Sequence, residues 1–141
     1  MLCGYVFESY AIELLERGGD FHCRQLVGRH TNIHSAETTL DIPPSKKKVV
    51  DTVLPDQILN QLYVPITKTN ASIDAWIPGI GAFQTAVGKK HGFTSGASVE
   101  LAKLVGGNRL FWLIPPDDYH SFTKQSPYNI NQYAIRVLYL E

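Results

Sequence analysis

Residues 72–87 carry two strand-like runs on either side of a turn, and they read SIDAWIPGIGAFQTAV. The runs 72–77 and 81–87 contain β-branched and aromatic residues, and Pro78-Gly79 between them is a turn signal. We therefore predict a hairpin, or two adjacent strands. One polar side chain of interest lies on each arm, Asp74 on the first and Gln84 on the second.

Longer patterned segments surround this predicted hairpin. Residues 4–17 repeat apolar side chains at helical spacing, and Gly18-Gly19 ends that helix. A second helix is predicted over 94–105, followed by an almost wholly apolar strand at 109–114, as expected for a strand buried on both faces. Two further elements are expected near the end: a short aspartate-capped helix over 117–124, and an alternating edge strand over 133–140.

Three shorter strands are predicted upstream of the hairpin, at 21–27, 49–53 and 61–64. The polar stretch 28–48 contains two prolines and ends in three lysines, so we expect a loop or an insertion there. The element order is helix, strand, strand, strand, helix, strand, with insertions. We predict one α/β domain over residues 1–141, because two domains would each be too small to bury a good core.

The composition is that of a folded globular chain and excludes several classes of protein. Hydrophobic residues make up 44% and charged residues 18%, which argues against a disordered chain. Lysine plus arginine and aspartate plus glutamate both number 13, so binding to nucleic acid would need a local basic patch. Candidates for that patch are Lys46, Lys47, Lys48, Lys89, Lys90 and Arg109.

Neither a membrane segment, a signal peptide nor a zinc site is expected. No apolar run approaches the roughly 20 residues of a membrane span, and no basic leader precedes the first apolar stretch. Cys3 and Cys23 lack a metal or redox spacing, so we expect two reduced thiols. The histidines of the same region, His22, His30 and His34, flank no cysteine pair.

The predicted element order is the core order of the restriction-endonuclease-like nucleases. In that group an aspartate lies on one central strand, and an acidic residue, one spacer and a lysine lie on the next. The carboxylates hold Mg²⁺, and the lysine positions the attacking water. The matching positions here are Asp74, Gln84 and, on the first helix, Glu8, whereas Ala86 stands at the lysine position.

These differences from the nuclease pattern are compatible with an active nuclease and with an inactive one. Gln84 offers a carbonyl oxygen but no negative charge, so Mg²⁺ would be held more weakly. Lys89, Lys90 or His91, which follow within a short turn, could replace the missing lysine. Each candidate also has a purely structural explanation: Asp74 can cap a strand, Glu8 can be a solvated charge, Gln84 can hydrogen-bond within a sheet, and His91 can be a surface residue.

Six short runs of residues form a recognisable set: GYVFE at 4–8, GGDF at 18–21, SIDAW at 72–76, FQTAV at 83–87 with His91 behind it, LFWLIPP at 110–116 and YHSF at 119–122. Together they resemble the C-terminal nuclease-like region of Crinkler effectors and the related retrotransposon-hot-spot proteins. The resemblance covers about residues 4–122.

This resemblance implies a restriction-endonuclease-like αβββαβ core, with a central mixed sheet flanked by helices. It also implies transposon or toxin ancestry, secretion by an oomycete or fungus, delivery to a host cell and often its nucleus, and metal-dependent DNA cleavage. By this match Glu8, Asp74 and Gln84 take the site positions, and His91 is an associated position. The family commonly has threonine where Ala86 stands.

Three functions therefore stay open. The first is a Mg²⁺-dependent DNA phosphodiesterase with Glu8, Asp74 and Gln84 around the ion and Lys89 or His91 near the scissile phosphate. The second is a non-catalytic module that binds nucleic acid or a host protein. The third is a degenerate transposon-derived fragment without activity.

Overall fold

A computed structural model of the chain describes residues 4–28, 36–51, 57–66, 73–86, 103, 107–125 and 129–138. Two helices have defined bounds there: α1 spans Gly4–Arg17 and the one-turn α2 spans Pro116–Tyr119. The strands are β1 Gly19–Gln25, β2 Thr38–Ile42, β3 Lys48–Val50, β4 Tyr63–Pro65, β5 Ala75–Ile77, β6 Gly81–Thr85, β7 Arg109–Ile114 and β8 Asn131–Arg136.

The eight strands form one mixed sheet in the order β2-β1-β8-β7-β6-β5-β4-β3. Strands β6, β7 and β8 run parallel to one another, while β5 is antiparallel to both of its neighbours, β4 and β6. On the far side, β1 is antiparallel to β8 and β2. The predicted α/β class with a mixed sheet is therefore confirmed.

The β5–β6 hairpin forms as predicted. Ile80 N donates to Ile77 O at 2.9 Å and closes the turn, in which Gly79 has a φ of +92°. Glycine reaches that left-handed conformation without the clash a Cβ would introduce, which explains its place after Pro78.

The sheet buries side chains on both faces, which are called the α1 face and the α2 face after the helices that cover them. On the α1 face, Phe7, Ala11 and Leu15 of α1 pack against side chains that include Phe83 and Phe111. Since successive strand residues point to opposite faces, the next residues along these strands lie on the other side. That α2 face carries a second core of buried side chains from the strands, the helix and the segment after it: Trp76, Ala82, Leu110, Trp112, Ala134, Tyr119 and Phe122.

Two buried polar side chains hold residues 119–125 over the α2 face. Arg24 Nη2 donates to Tyr119 O at 2.6 Å and to Phe122 O at 2.9 Å. Gln132 is fully buried; its Oε1 accepts from Trp112 Nε1 at 3.0 Å and from Gln125 N at 2.8 Å. Its Nε2 donates to Gln125 O at 2.7 Å. Hydrogen bonds as well as apolar contacts therefore hold residues 119–125 against the α2 face.

Three sequence-based expectations differ from the structure. The stretch 28–48, expected to be a loop or an insertion, contains β2, whose backbone pairs with β1 from Gly19↔Ile42 to Cys23↔Thr38. The helix expected over 117–124 is shorter, and Pro115 precedes it without a side-chain capping bond. The last strand lies between β1 and β7 rather than at an edge, because its backbone pairs with a strand on each side.

The helix predicted over 94–105 falls outside the described residues apart from Lys103, which is helical. Within the described part, no helix is long and apolar enough to cross a membrane.

Candidate functional site at Asp74 and Gln84

Asp74 and Gln84 both lie at the open end of the β5–β6 hairpin. The pairing of the two strands ends at Ala75↔Phe83, and Asp74 and Gln84 are the first residues beyond that pair, one on each strand. Thr85 is paired with Leu113 near the carboxyl end of β7. The two residues therefore lie at the carboxyl ends of the parallel strands, where open α/β sheets bind ligands.

Asp74 is buried, with 6% of its surface exposed, and is hydrogen-bonded to the opposite strand. Its Oδ2 accepts from Thr85 N at 2.7 Å and from Thr85 Oγ1 at 3.0 Å, and its own N donates to Phe83 O at 2.9 Å. The carboxylate therefore caps the end of the hairpin. The same bonds fix its orientation, and both side-chain bonds use one oxygen.

Gln84 contributes a buried oxygen without a partner. It pairs with Trp112, which lies in the α2-face core, so its side chain lies on that face. Its Oε1 is buried and accepts no hydrogen bond. A buried acceptor of this kind is costly unless something satisfies it. A hard cation is one such partner, since Mg²⁺ prefers oxygen ligands.

Of the other expected residues, Ala86 supplies no cation: it is buried, and its N donates to Leu113 O at 3.0 Å. Glu8 is half-buried on α1, which packs on the α1 face. Phe83 lies on that face and so does Thr85, two residues further on, so α1 covers the same side of the sheet as the hydroxyl that binds Asp74. Lys89 and His91 lie outside the described residues.

A metal at this position would depend on few protein ligands. In the described ranges, no three His, Cys, Asp or Glu side chains are grouped closely enough to hold an ion. Asp74 and Gln84 would supply a carboxylate and an amide oxygen. Mg²⁺ commonly binds through one or two protein groups, with water and substrate phosphate completing its shell. The residues present therefore fit a weakly held magnesium ion.

The basic residues of the predicted patch that the structure describes, Arg109 and the three lysines at 46–48, lie away from Asp74. Arg109 begins β7, at the end of the sheet away from Asp74, and its guanidinium lies over the Phe111 ring at 5.4 Å. Lys46, Lys47 and Lys48 are exposed at the β3 edge of the sheet.

Two other arginines, which sequence reasoning missed, lie on the α2 face toward the same end as Gln84. Arg136 is the last residue of β8, which runs parallel to β6 and β7, and Arg24 pairs with Ala134 two residues earlier. Their signal in the sequence is a single arginine inside each of two strands with apolar neighbours, at Cys23 and Ile135. Tyr119 lies between them.

Cys23 lines a cavity of about 370 Å³ on the α1 face, together with Phe111, Tyr133 and Arg109. The thiol is free, as expected, and 4% exposed; Cys3 lies outside the described residues. Burial raises the pKa of the Cys23 thiol to about 11, although Arg109 opposes the rise.

This shift predicts an unreactive thiol. At pH 8 the raised pKa lowers the thiolate fraction by about 100-fold relative to an ordinary cysteine. Each unit by which the pKa rises lowers that fraction about tenfold. In a Cys3→Ser variant, we expect iodoacetamide to modify Cys23 about 100-fold more slowly in the folded protein than in urea. The rate should rise with pH up to about 11. Equal rates in both states would contradict the prediction.

Two curated proteins are similar to the chain over nearly its whole length. Crinkler effector protein 16 and Crinkler effector protein 15, both of Phytophthora infestans, are each 48% identical to it over 143 residues. The match covers 99% of this chain but only 23% of each relative, so the chain spans about a quarter of their length. No protein-family model and no solved structure matches the chain. The chain is therefore similar, at this level of identity, to about a quarter of each of these two Crinkler effectors.

Proposed function

We propose that the chain is an effector domain with a restriction-endonuclease-like core that hydrolyses DNA phosphodiester bonds with Mg²⁺ at Asp74 and Gln84. The observation that carries the proposal is the placement of these two residues on adjacent central strands, just beyond the last pair of the β5–β6 hairpin. The nucleases of this group carry their aspartate and their second metal ligand on two such strands.

The sheet topology supports the same core if β4, rather than β1, is taken as its first strand. The neighbour of β5 on its outer side is β4, whereas β1 lies beyond β8. In this proposal β4 is therefore the first core strand, followed by β5, β6 and β7. The helix between β6 and β7 is the one predicted over 94–105, and a parallel β6–β7 pair requires a crossover connection of that kind.

The chemistry would divide among a few residues. Magnesium, when bound, would neutralise the phosphate and lower the pKa of a bound water. Asp74 would supply the charged oxygen, held in place by Thr85, and Gln84 would supply a neutral one. Lys89 and His91 remain the predicted neighbours of the scissile phosphate. Glu8 would stay a candidate third ligand, because α1 covers the face on which Thr85, the partner of Asp74, lies.

Binding without hydrolysis is the second candidate. The observation that favours it is that Asp74 Oδ2 is already occupied by two hydrogen bonds while Ala86 offers no positive charge. A module of this kind would keep the fold and bind nucleic acid or a host protein.

The effector role rests on the relatives. Both are named as Crinkler effectors of Phytophthora infestans, and the chain matches 23% of each. Secretion and a location in the host nucleus follow from the resemblance to this family, and they are part of the proposal.

Cleavage of supercoiled plasmid with Mg²⁺ or Mn²⁺ tests the proposed site, with Asp74→Asn as the key variant. Asparagine removes the charge but keeps an oxygen that can accept from Thr85 N, so the hairpin end should survive. We expect metal-dependent nicking by the unmodified chain and a loss of about 100-fold or more in Asp74→Asn, because a hard cation loses its charged ligand.

Thr85→Val is the matched control. It removes the hydroxyl bond to Asp74 Oδ2 but leaves the carboxylate, so nicking should fall by less than about tenfold. Thermal melting of both variants separates site effects from unfolding. Nicking that persists in a folded Asp74→Asn protein would place the chemistry elsewhere. Plasmid retardation without nicking would shift the conclusion to the second candidate.

A further inference from the structure

Three residues form an arginine–tyrosine cluster on the α2 face: Arg24 of β1, Arg136 of β8 and Tyr119 of α2. The guanidinium carbons of Arg24 and Arg136 lie 5.2 and 5.9 Å from the centre of the Tyr119 ring. The two charges are therefore at most about 11 Å apart, within a distance at which they repel each other in a partly buried setting.

Neither arginine is paired with a carboxylate within the described part of the chain. Arg24 is 5% exposed and Arg136 is half-buried, yet neither forms a salt bridge there. A buried guanidinium without a bonded counter-ion is unfavourable, because it loses its hydration and gains no direct opposite charge. The cluster therefore carries two positive charges, and the one described carboxylate near it, that of Glu37, bonds neither arginine.

Each member of the cluster also has a donor that is not used. The Nε atoms of both arginines and the hydroxyl of Tyr119 are buried and make no hydrogen bond. Arg24 Nη2 donates to the backbone of the segment above it, whereas the side chain of Arg136 makes no hydrogen bond to any described residue. Unused donors around a single ring are unusual, since buried polar groups are almost always paired.

Glu37 and His22 lie at the rim of this cluster. Burial, and then the Glu37 carboxylate, raise the pKa of Tyr119, although Glu37 does not reach hydrogen-bond geometry with the hydroxyl. Glu37 Oε2 also lies 3.9 Å from Nδ1 of His22, and both side chains are partly exposed. An anion bound by the cluster would compete with this carboxylate.

We propose that Arg24, Arg136 and Tyr119 bind a phosphate group. Two guanidinium groups and a hydroxyl present more donors than a carboxylate can accept, and they suit the several oxygens and higher charge of phosphate. The group enters from the side of Arg136, which is the more exposed arginine. None of the three residues belongs to the Asp74 and Gln84 site.

The phosphate has two sources with the same chemistry, a polynucleotide backbone and a free nucleotide or inorganic phosphate. Arg136 lies two strands from Gln84 on the same face, about 10 Å across the sheet. A nucleic-acid strand could touch both positions, and for that source the inference rests on the proposed function. The phosphate site itself does not.

The test is calorimetric titration with inorganic phosphate, a mononucleotide and a single-stranded oligonucleotide, without divalent metal and at fixed ionic strength. Arg136→Gln is the main variant. Arg17→Gln is the control, since it removes the same charge from an exposed arginine paired only with Glu13 on α1. We expect Arg136→Gln to weaken binding about tenfold and Arg17→Gln less than about twofold.

Two further variants separate binding from folding. Tyr119→Phe keeps the ring between the arginines and should weaken binding severalfold, whereas Glu37→Gln should strengthen it by removing the competing carboxylate. Loss of affinity for all three ligands in Arg136→Gln indicates a free-phosphate site; loss for the oligonucleotide alone indicates the backbone. Equal affinities in Arg136→Gln and Arg17→Gln would overturn the proposal, whether or not the protein cleaves DNA.

Discussion

Replacing Gly18 with alanine is expected to lower the free energy of unfolding by about 2–5 kcal/mol. Gly18 ends α1 with a φ of +70°, and a Cβ there would lie 2.5 Å from Ile42 O, 2.6 Å from Pro44 N and 2.8 Å from Pro43 C. All three atoms belong to the backbone and cannot rotate away. The left-handed conformation costs about 1–2 kcal/mol for a residue with a Cβ, and overpacking adds about 1–3 kcal/mol.

Gly107→Ala isolates the conformational part of this cost. Gly107 has a φ of +60°, but a Cβ there would meet no atom within 4 Å. Urea denaturation of both variants should show a loss near 1 kcal/mol for Gly107→Ala and a clearly larger one for Gly18→Ala. Similar losses would mean that the segment bearing the two prolines can move away from α1.

Gln132→Leu is expected to cost about 3 kcal/mol or more. The fully buried amide makes three hydrogen bonds, and leucine would leave Trp112 Nε1 and both backbone groups of Gln125 without their partners. A buried polar group left unpaired costs about 1–3 kcal/mol, and leucine recovers part of this through its apolar contacts. The loss should appear as a lower urea midpoint.

Gln125→Ala serves as the control for this network. It removes the side-chain bond from Gln125 Nε2 to Thr123 O while keeping the backbone groups that Gln132 binds. We expect a loss below about 1 kcal/mol, which is typical of one hydrogen bond at a partly exposed position. If the two variants lose the same free energy of unfolding, Gln132 is not the residue that holds residues 119–125 over the α2 face.

The strongest local patterns predicted their elements well. Helix α1 and strand β7 have the bounds expected from the sequence, since helical spacing and an unbroken apolar run are each specific to one structure. Strand β2 was missed because its residues, TTLDI, are mostly exposed and give little alternation. It forms through backbone pairing with β1, which a local pattern does not reveal.

The candidate site was predictable only where short-range register determines it. A tight turn fixes the pairing of the two arms, so the hairpin that carries Asp74 and Gln84 could be predicted, while their shared site stays a prediction. Placing Glu8 required knowing which face α1 covers. The arginine–tyrosine cluster joins residues far apart in the sequence, such as Arg24 and Tyr119 at a separation of 95. Contacts between residues so far apart in the chain leave no pattern that a single sequence reveals.

The central position of β8 has a consequence for the order in which the protein folds. This strand comes after the other seven along the chain, yet it joins β1–β2 to the rest of the sheet, and Tyr10 donates across a separation of 128 residues to Leu138 O. During synthesis, β1 gains its second neighbour only after β8 has been made. Closing so long a loop is slow, so late chain closure, rather than helix formation, should limit the folding rate.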